Sequence, residues 1–160
     1  MSTPISTVPD AEQLRQLPGF LLRRCNQIFL SLFAQETAGL DITPAQFGAL
    51  SIIARYPGLD QTGLTGHLSL DRSSVTKCVD RLEERGLIQR QVAAGDRRVR
   101  LLEITEGGME LLTAAQDGVR RTGERLLAPL GNDAKRLLSL LEQLADELEE
   151  ESRVPARIKE

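Results

Sequence analysis

The side chains best suited to bind another molecule lie between Asp71 and Thr105. The first half of this stretch has hydroxyl and cationic residues at helical spacing, opposite an apolar stripe that runs from Val75 to Leu82. Hydroxyl groups can hydrogen-bond phosphates and base edges, and lysine and arginine can reach guanine or phosphate. The candidate nucleic-acid contacts of this helix are Arg72, Ser73, Ser74, Thr76, Lys77 and Arg81.

A basic loop follows between two β-type runs, Leu87–Gln91 and Val99–Ile104. The loop contains a hairpin-type turn signal, so Arg97 and Arg98 would lie near the tip of a ribbon. Arginines at such a tip can enter a DNA minor groove, where the potential is most negative over A·T-rich sequence. Asp96 could pair with Arg98 and hold its guanidinium in place. We therefore add Asp96, Arg97 and Arg98 to the predicted nucleic-acid surface.

The net charge alone argues against nucleic-acid binding, because the formal charge is −3 and the pI is near 5.3. The distribution of the charges matters more than their sum. Residues 87–102 contain four arginines and one acid, whereas residues 142–151 contain six acids and no base. A local basic surface is therefore compatible with an acidic chain.

Local start and stop signals predict the elements that position these side chains. Thr43 begins a helix with a capping box, and Asp60 and Asp71 begin two more. Gly86 ends the last of these. A short helix, a tight turn and a second helix with a polar face form the helix-turn-helix pattern, whose second helix enters the DNA major groove.

The flanking segments are also predicted to be helical. A helix from about Asp10 to Thr37 has an apolar face too wide for one core, so it needs a second partner such as another subunit. Pro18 and Gly19 predict a kink or a late start near Phe20. A helix from Thr105 to about Leu127 follows the ribbon, and a leucine-striped helix comes last. The fold class is mainly α with a small β-wing.

The segment SSVTKCVDRLEERGLIQR, followed by GDRRVRLLEITEGG, resembles the MarR family of bacterial transcriptional regulators. The matching motifs are Val75-Thr76-Lys77, Leu82-Glu83 through Gly86-Leu87-Ile88 to Arg90, Asp96-Arg97-Arg98, and Leu102 to Gly108. The family often has Leu-Ala where this chain has Gly63-Leu64, a departure that affects the rigidity of the short helix.

The resemblance implies a winged helix-turn-helix flanked by dimerisation helices. One MarR-type domain would span residues 1–160, with a DNA-binding lobe at about 42–105 and dimerisation helices at about 10–38 and 106–150. The partners implied are a second copy of the chain and a double-stranded, pseudo-palindromic operator. Repression would be relieved by a small molecule, typically an anionic aromatic compound. The family's wing arginine corresponds to Arg98 and its partner to Asp96.

A candidate effector pocket follows from cations within the apolar first helix. Arg23 or Arg24, beside Phe20, Phe47 and His67, could receive the carboxylate of an aromatic acid. The alternatives are solvent-facing salt bridges for the arginines and a structural role for the histidine. These alternatives remain open from the sequence.

Two other readings are a redox sensor and a protein-interaction module. Some MarR relatives sense peroxide through a cysteine in the first helix, which here would be Cys25, whereas Cys78 lies on an apolar face and is predicted to be core. Winged helices are also reused for protein contacts, and the acidic pI leaves that open.

Several classes of function lack the residues they need. One histidine, no Gly-rich phosphate loop and no nucleophile–base pair argue against an enzyme. We expect no metal and no cofactor, because the cysteines and the histidine are not at ligand spacing. Without a signal peptide or a membrane-span-length apolar run, we expect a cytoplasmic protein with no membrane partner.

Overall fold

The computed structural model describes residues 10–68, 70–93, 95 and 99–148. Seven α-helices, one 3-10 segment and two strands make up this part of the chain. In chain order they are α1 (Ala11–Gln16), α2 (Pro18–Glu36), α3 (Pro44–Arg55), α4 (Gln61–Leu68), α5 (Arg72–Glu84), β1 (Ile88–Val92), β2 (Arg100–Ile104), α6 (Glu106–Leu127), the 3-10 segment (Ala128–Asp133) and α7 (Ala134–Glu147). The mainly α fold with a small two-stranded sheet is the predicted class.

The predicted first helix is two helices rather than one. Leu17 has an extended ψ of 136° and Pro18 occupies the first position of α2. The proline ring disfavours helical geometry at the residue before it, yet its fixed φ suits the first turn of a new helix. The expected interruption therefore falls at Leu17, and the second helix begins at once.

The capping signals in the middle of the chain are confirmed. The Thr43 hydroxyl accepts a hydrogen bond from the Gln46 backbone N–H at 3.2 Å, and the Gln46 side chain accepts one from the Thr43 N–H at 3.0 Å. Asp60 caps α4 by accepting from the Gly63 N–H at 2.7 Å. Gly86 has a φ of +68° after the end of α5, a left-handed conformation that glycine adopts without steric cost.

The two strands form an antiparallel ribbon in which Ile88 pairs with Ile104 and Val92 with Arg100. Each begins one residue later than predicted. The backbone N–H of Leu102 also donates to Leu59 O at 2.8 Å. The base of the ribbon is therefore attached to the segment that leads into α4.

One apolar core joins α3, α4, α5 and the ribbon. Its fully buried members include Leu50, Ile53, Leu64, Val75, Val79, Leu82, Ile88 and Leu102. The apolar stripe predicted for α5 supplies three of these residues, together with the buried Cys78. Burial of this stripe orients the opposite, polar face of α5 outwards.

The apolar face of α7 is left uncovered within one chain. No residue of α7 is buried, and its leucines are 38–53% exposed. They are Leu137, Leu138, Leu140, Leu141 and Leu144, with Leu148 just beyond the helix. Large apolar residues of α2, among them Leu21, Leu22 and Ile28, are similarly exposed. In the described part of the chain, no helix has the length and apolar character needed to cross a membrane.

Candidate nucleic-acid interface

The N-terminus of α5 is organised by Asp71. Its carboxylate accepts hydrogen bonds from the Ser74 hydroxyl at 2.6 Å, the Ser73 hydroxyl at 2.7 Å and the Ser74 backbone N–H at 2.9 Å. These bonds, led by that of the Ser74 side chain, hold the pKa of Asp71 well below its usual value. Both serine hydroxyls therefore direct their protons to Asp71 and present lone pairs to the outside.

The hydroxyl of Thr76 is also engaged. It donates to the backbone carbonyl of Arg72 at 2.8 Å and accepts from the side-chain amide of Gln61 at 2.6 Å. Gln61 lies at the start of α4 and was not among the residues predicted from the sequence. A contact across 15 residues leaves no periodic signal, so sequence patterning had no means of finding it.

Three cations form the outward-facing charge of α5. Arg72, Lys77 and Arg81 are exposed, and none of them pairs with an acid among the described residues. Lys77 and Arg81 lie on the polar face predicted for this helix, whereas Arg72 lies in its first turn, three residues before the buried Val75. This face can therefore offer positive charge to a polyanion without first breaking an ion pair.

A guanidinium joins α5 to the ribbon. Arg90 of β1 donates to Asp80 at 2.6 Å and also forms an ion pair with Glu83. Its side chain is 22% exposed. From the sequence, Arg90 was only part of the family motif. Asp80 and Glu83, three residues apart on α5, were the signal that a cation could pair with this side of the helix.

A polar hollow lies where α4, α5 and β2 meet. Its lining residues are Asp60, Gln61, Thr62, Arg72, Thr76, Val99 and Arg100. Arg100 is exposed and is a cation of this region that the prediction did not include. The predicted wing residues Asp96, Arg97 and Arg98 lie outside the described residues.

The candidate effector residues are only partly brought together. Phe20, Arg23 and Arg24 line one hollow, which Arg15 and Gln27 complete. The Arg23 guanidinium lies 5.0 Å from the centre of the Phe20 ring. The other two predicted members, Phe47 and His67, do not line this hollow: Phe47 packs against the core, and the His67 ring stacks on Tyr56 with centroids 4.9 Å apart.

The two thiols differ in environment. Cys25 is exposed on α2, whereas Cys78 is buried in the core and burial raises the pKa of its thiol. A high pKa disfavours the reactive thiolate, so Cys78 is suited to packing rather than chemistry. Across the described ranges, no group of three His, Cys, Asp or Glu side chains could hold a metal ion.

The arrangement of α4, α5 and the ribbon is shared with known proteins. A model of the MarR family matches residues 42–99. A protein of Thauera aromatica, assigned as a transcriptional regulator of the hcr operon, is 37% identical over 145 residues, which are 89% of this chain and 85% of that protein. The chain belongs to the MarR family. MarR proteins are DNA-binding transcriptional regulators and not enzymes. This chain is therefore a DNA-binding transcriptional regulator as well.

Two solved MarR-type structures show the same fold. The transcriptional repressor CouR, bound to a 23-mer DNA duplex, is 33% identical with a TM-score of 0.76, covering 86% of this chain and 98% of CouR. The PcaV regulator of Streptomyces coelicolor, in complex with its natural ligand, is 30% identical with a TM-score of 0.78, again over 86% and 98% of the two chains. The MarR resemblance of the central motif therefore extends to the flanking helices.

Proposed function

We propose that this MarR protein is a homodimeric repressor that binds a pseudo-palindromic operator through α5 and the wing. The observation that carries the proposal is the set of α5 cations that pair with no acid among the described residues, beside a ribbon anchored to α5 and to the segment that leads into α4. In helix-turn-helix proteins the second helix lies in the major groove. We assign the DNA contacts to Arg72, Ser73, Ser74, Thr76, Lys77 and Arg81, and to Asp96, Arg97 and Arg98 in the wing.

The dimer would be built by the flanking segments, about 10–38 and 106–150, around a DNA-binding lobe at about 42–105. The exposed leucines of α7 and the exposed apolar residues of α2 support this division. Contiguous apolar surface of this kind marks an interaction site, and a two-fold axis would place the same patch of each copy against the other. Two copies would also supply the affinity that one small basic surface on an acidic chain lacks.

The effector would be a small aromatic carboxylate that binds near Phe20, Arg23 and Arg24. The aromatic ring of Phe20 offers a stacking surface, and Arg23 and Arg24 line the same hollow together with a third arginine, Arg15. PcaV, a relative of similar fold, binds a ligand of its own. Phe47 and His67 would take part only through a rearrangement or a second subunit, because they line a different region of the chain.

DNA binding is tested by fluorescence anisotropy on the duplex upstream of the protein's own gene. Lys77→Ala and Arg81→Ala should each weaken binding and reduce the slope of log K against log salt by about 1, as expected for one lost phosphate contact. Lys135→Ala, which removes an exposed lysine on α7, is the matched control and should change neither quantity. Equal affinities and slopes for all four proteins would refute the assignment of α5.

Effector binding is tested by calorimetry with benzoate and hydroxybenzoates. Arg23→Ala or Arg24→Ala should weaken binding at least tenfold, since a charge-assisted hydrogen bond contributes about 1.5–3 kcal/mol. Arg120→Ala, on the exposed face of α6, provides the control. If Arg23→Ala and Arg24→Ala both bind the ligand with unchanged affinity, the ligand must bind at another part of the dimer.

A further inference from the structure

Gln61 and Thr76 connect the two helices of the helix-turn-helix through their side chains. Gln61 is the first residue of α4, and Thr76 lies one turn into α5. The Gln61 amide nitrogen lies 2.6 Å from the Thr76 oxygen. Gln61 is therefore held against the polar face of α5, although it belongs to the preceding helix.

The second hydrogen bond of Thr76 fixes the orientation of this amide. A threonine hydroxyl has one proton, and that of Thr76 goes to the backbone carbonyl of Arg72 at 2.8 Å. The hydroxyl can then only accept from Gln61, so the amide nitrogen must face Thr76 and the amide oxygen must face away. A rotated amide would bring two acceptors together.

This orientation leaves a donor and an acceptor of Gln61 available. Across the described ranges, neither the amide oxygen nor the second amide proton has a hydrogen-bond partner. Gln61 lines the polar hollow between α4, α5 and β2. The Thr76 hydroxyl, by contrast, has already committed its proton to Arg72.

A glutamine amide with one free donor and one free acceptor matches a single base edge. Adenine presents its N7 acceptor and its N6 amino donor side by side in the major groove, and glutamine can bond both. Thymine and cytosine do not present this pair. Phosphates offer only acceptors, so they would leave the amide oxygen of Gln61 unpaired.

We propose that Gln61 reads an adenine in each half of the operator, with Thr76 as the residue that positions its amide. The inference rests on the proposed function, because it requires α5 to lie in a major groove. Under this proposal, the base at this position of the operator is read by Gln61 of α4 and not by the Thr76 hydroxyl of the recognition helix. The methyl group of Thr76 would remain free to contact a thymine methyl.

The experiment is selection from a random 30-base-pair duplex library, followed by affinity measurements on single-base variants of the selected sequence. The wild-type protein should select adenine at one pair of symmetry-related positions. Gln61→Ala should lose that preference, with affinity for the selected duplex falling about 5- to 100-fold and affinity for non-specific DNA unchanged. Gln116→Ala, which changes an exposed glutamine on α6, should select the wild-type sequence.

Further variants separate reading from folding. Gln61→Glu keeps the shape but removes the donor, so the preference should move from adenine towards cytosine, whose amino group suits a carboxylate. Thr76→Val should weaken the adenine preference because it removes the acceptor for the amide, and Thr76→Ser should restore it. Thermal unfolding of each variant verifies that it is folded.

The outcomes distinguish the two proposals. If the wild type selects a sequence and Gln61→Ala selects the same one with equal preference, the role of Gln61 is refuted and the DNA-binding function stands. A loss of affinity that is equal for all sequences would also refute it, because a backbone or packing contact carries no sequence information. A wild-type protein that selects no sequence would overturn both proposals.

Discussion

Arg90 of β1 donates a hydrogen bond to Asp80 of α5 across 2.6 Å. The same guanidinium forms an ion pair with Glu83, one turn further along α5. One side chain of the ribbon thus holds two points on the helix that presents the candidate DNA contacts. The orientation of the wing relative to α5 depends on this arrangement as well as on the apolar core beneath it.

Replacing Arg90 by methionine should therefore weaken DNA binding more than it weakens the fold. The side chains of Arg90, Asp80 and Glu83 are 22–49% exposed. We therefore expect the substitution to lower the free energy of unfolding by about 1 kcal/mol or less. Operator affinity should fall about 3- to 30-fold, the range expected when contacting residues are uncoupled. Urea unfolding and anisotropy measure the two quantities.

Arg120→Met is the matched control for this prediction. Arg120 also pairs with two acids, Asp117 and Glu124, but all three lie on α6. The Arg120→Met variant should therefore bind the operator with unchanged affinity. A similar affinity loss in both variants would show that total charge, rather than wing orientation, is responsible.

Two adjacent glycines near the start of α6 should respond oppositely to alanine. A Cβ at Gly108 would lie 2.0 Å from the Leu87 carbonyl oxygen and 2.8 Å from a carbon of Ile104, whereas one at Gly107 would meet only Thr105 Oγ1, at 4.0 Å. Gly108→Ala should destabilise the protein by about 1–3 kcal/mol or more through overpacking. Gly107→Ala should be neutral or stabilising by up to about 1 kcal/mol. Thermal unfolding measures the difference, and equal melting temperatures for Gly107→Ala and Gly108→Ala would contradict the close packing of α6 on the ribbon.

Acid sensitivity should depend on Glu36. Hydrogen bonds from Arg121 and then Arg125 lower the pKa of Glu36 below its ordinary value of 4.5. The pKa of Glu36 is lower in the folded protein than in the unfolded chain. The ion pairs therefore stabilise the fold fully above pH 4.5, and this stabilisation is lost as the pH falls through the pKa of Glu36 in the folded protein. Glu36→Gln should be less stable than wild type at pH 7, and this difference should shrink below pH 4.5.

The pH dependence is measured by denaturant midpoints from pH 7 to pH 3. Glu110→Gln removes a carboxylate of α6 that makes no ion pair within the described part of the chain. Its midpoint should follow that of the wild type throughout. If Glu36→Gln also parallels the wild type across the range, the ion pairs with Arg121 and Arg125 do not stabilise the fold.

A charge within the exposed leucines of α7 should separate the proposed dimer. Leu144, 48% exposed in one chain, would be buried by a second copy, so Leu144→Glu should give monomers by light scattering and lose operator binding. Val92→Glu changes a similarly exposed apolar residue of β1, 51% exposed and outside both proposed dimerisation segments. It should remain dimeric. A dimeric Leu144→Glu would place the interface elsewhere.

Local signals in the sequence determined where most elements begin and end. The capping box at Thr43, the N-cap at Asp71 and the left-handed Gly86 each use hydrogen bonds or backbone angles within a few residues. Such interactions depend little on the rest of the fold, so residue types alone predict them. The apolar period of α5 likewise determined which face turns inwards, and the family motif identified the winged helix-turn-helix.

Tertiary structure decided which of the exposed polar groups remain available. Gln61 reaches Thr76 from another helix, and Arg90 joins the ribbon to α5. These two contacts join residues 15 and 10 positions apart, and they exist only because packed helices and strands meet at particular angles. The polar face was therefore predictable from the sequence, whereas the free donors and acceptors on that face follow from long-range packing.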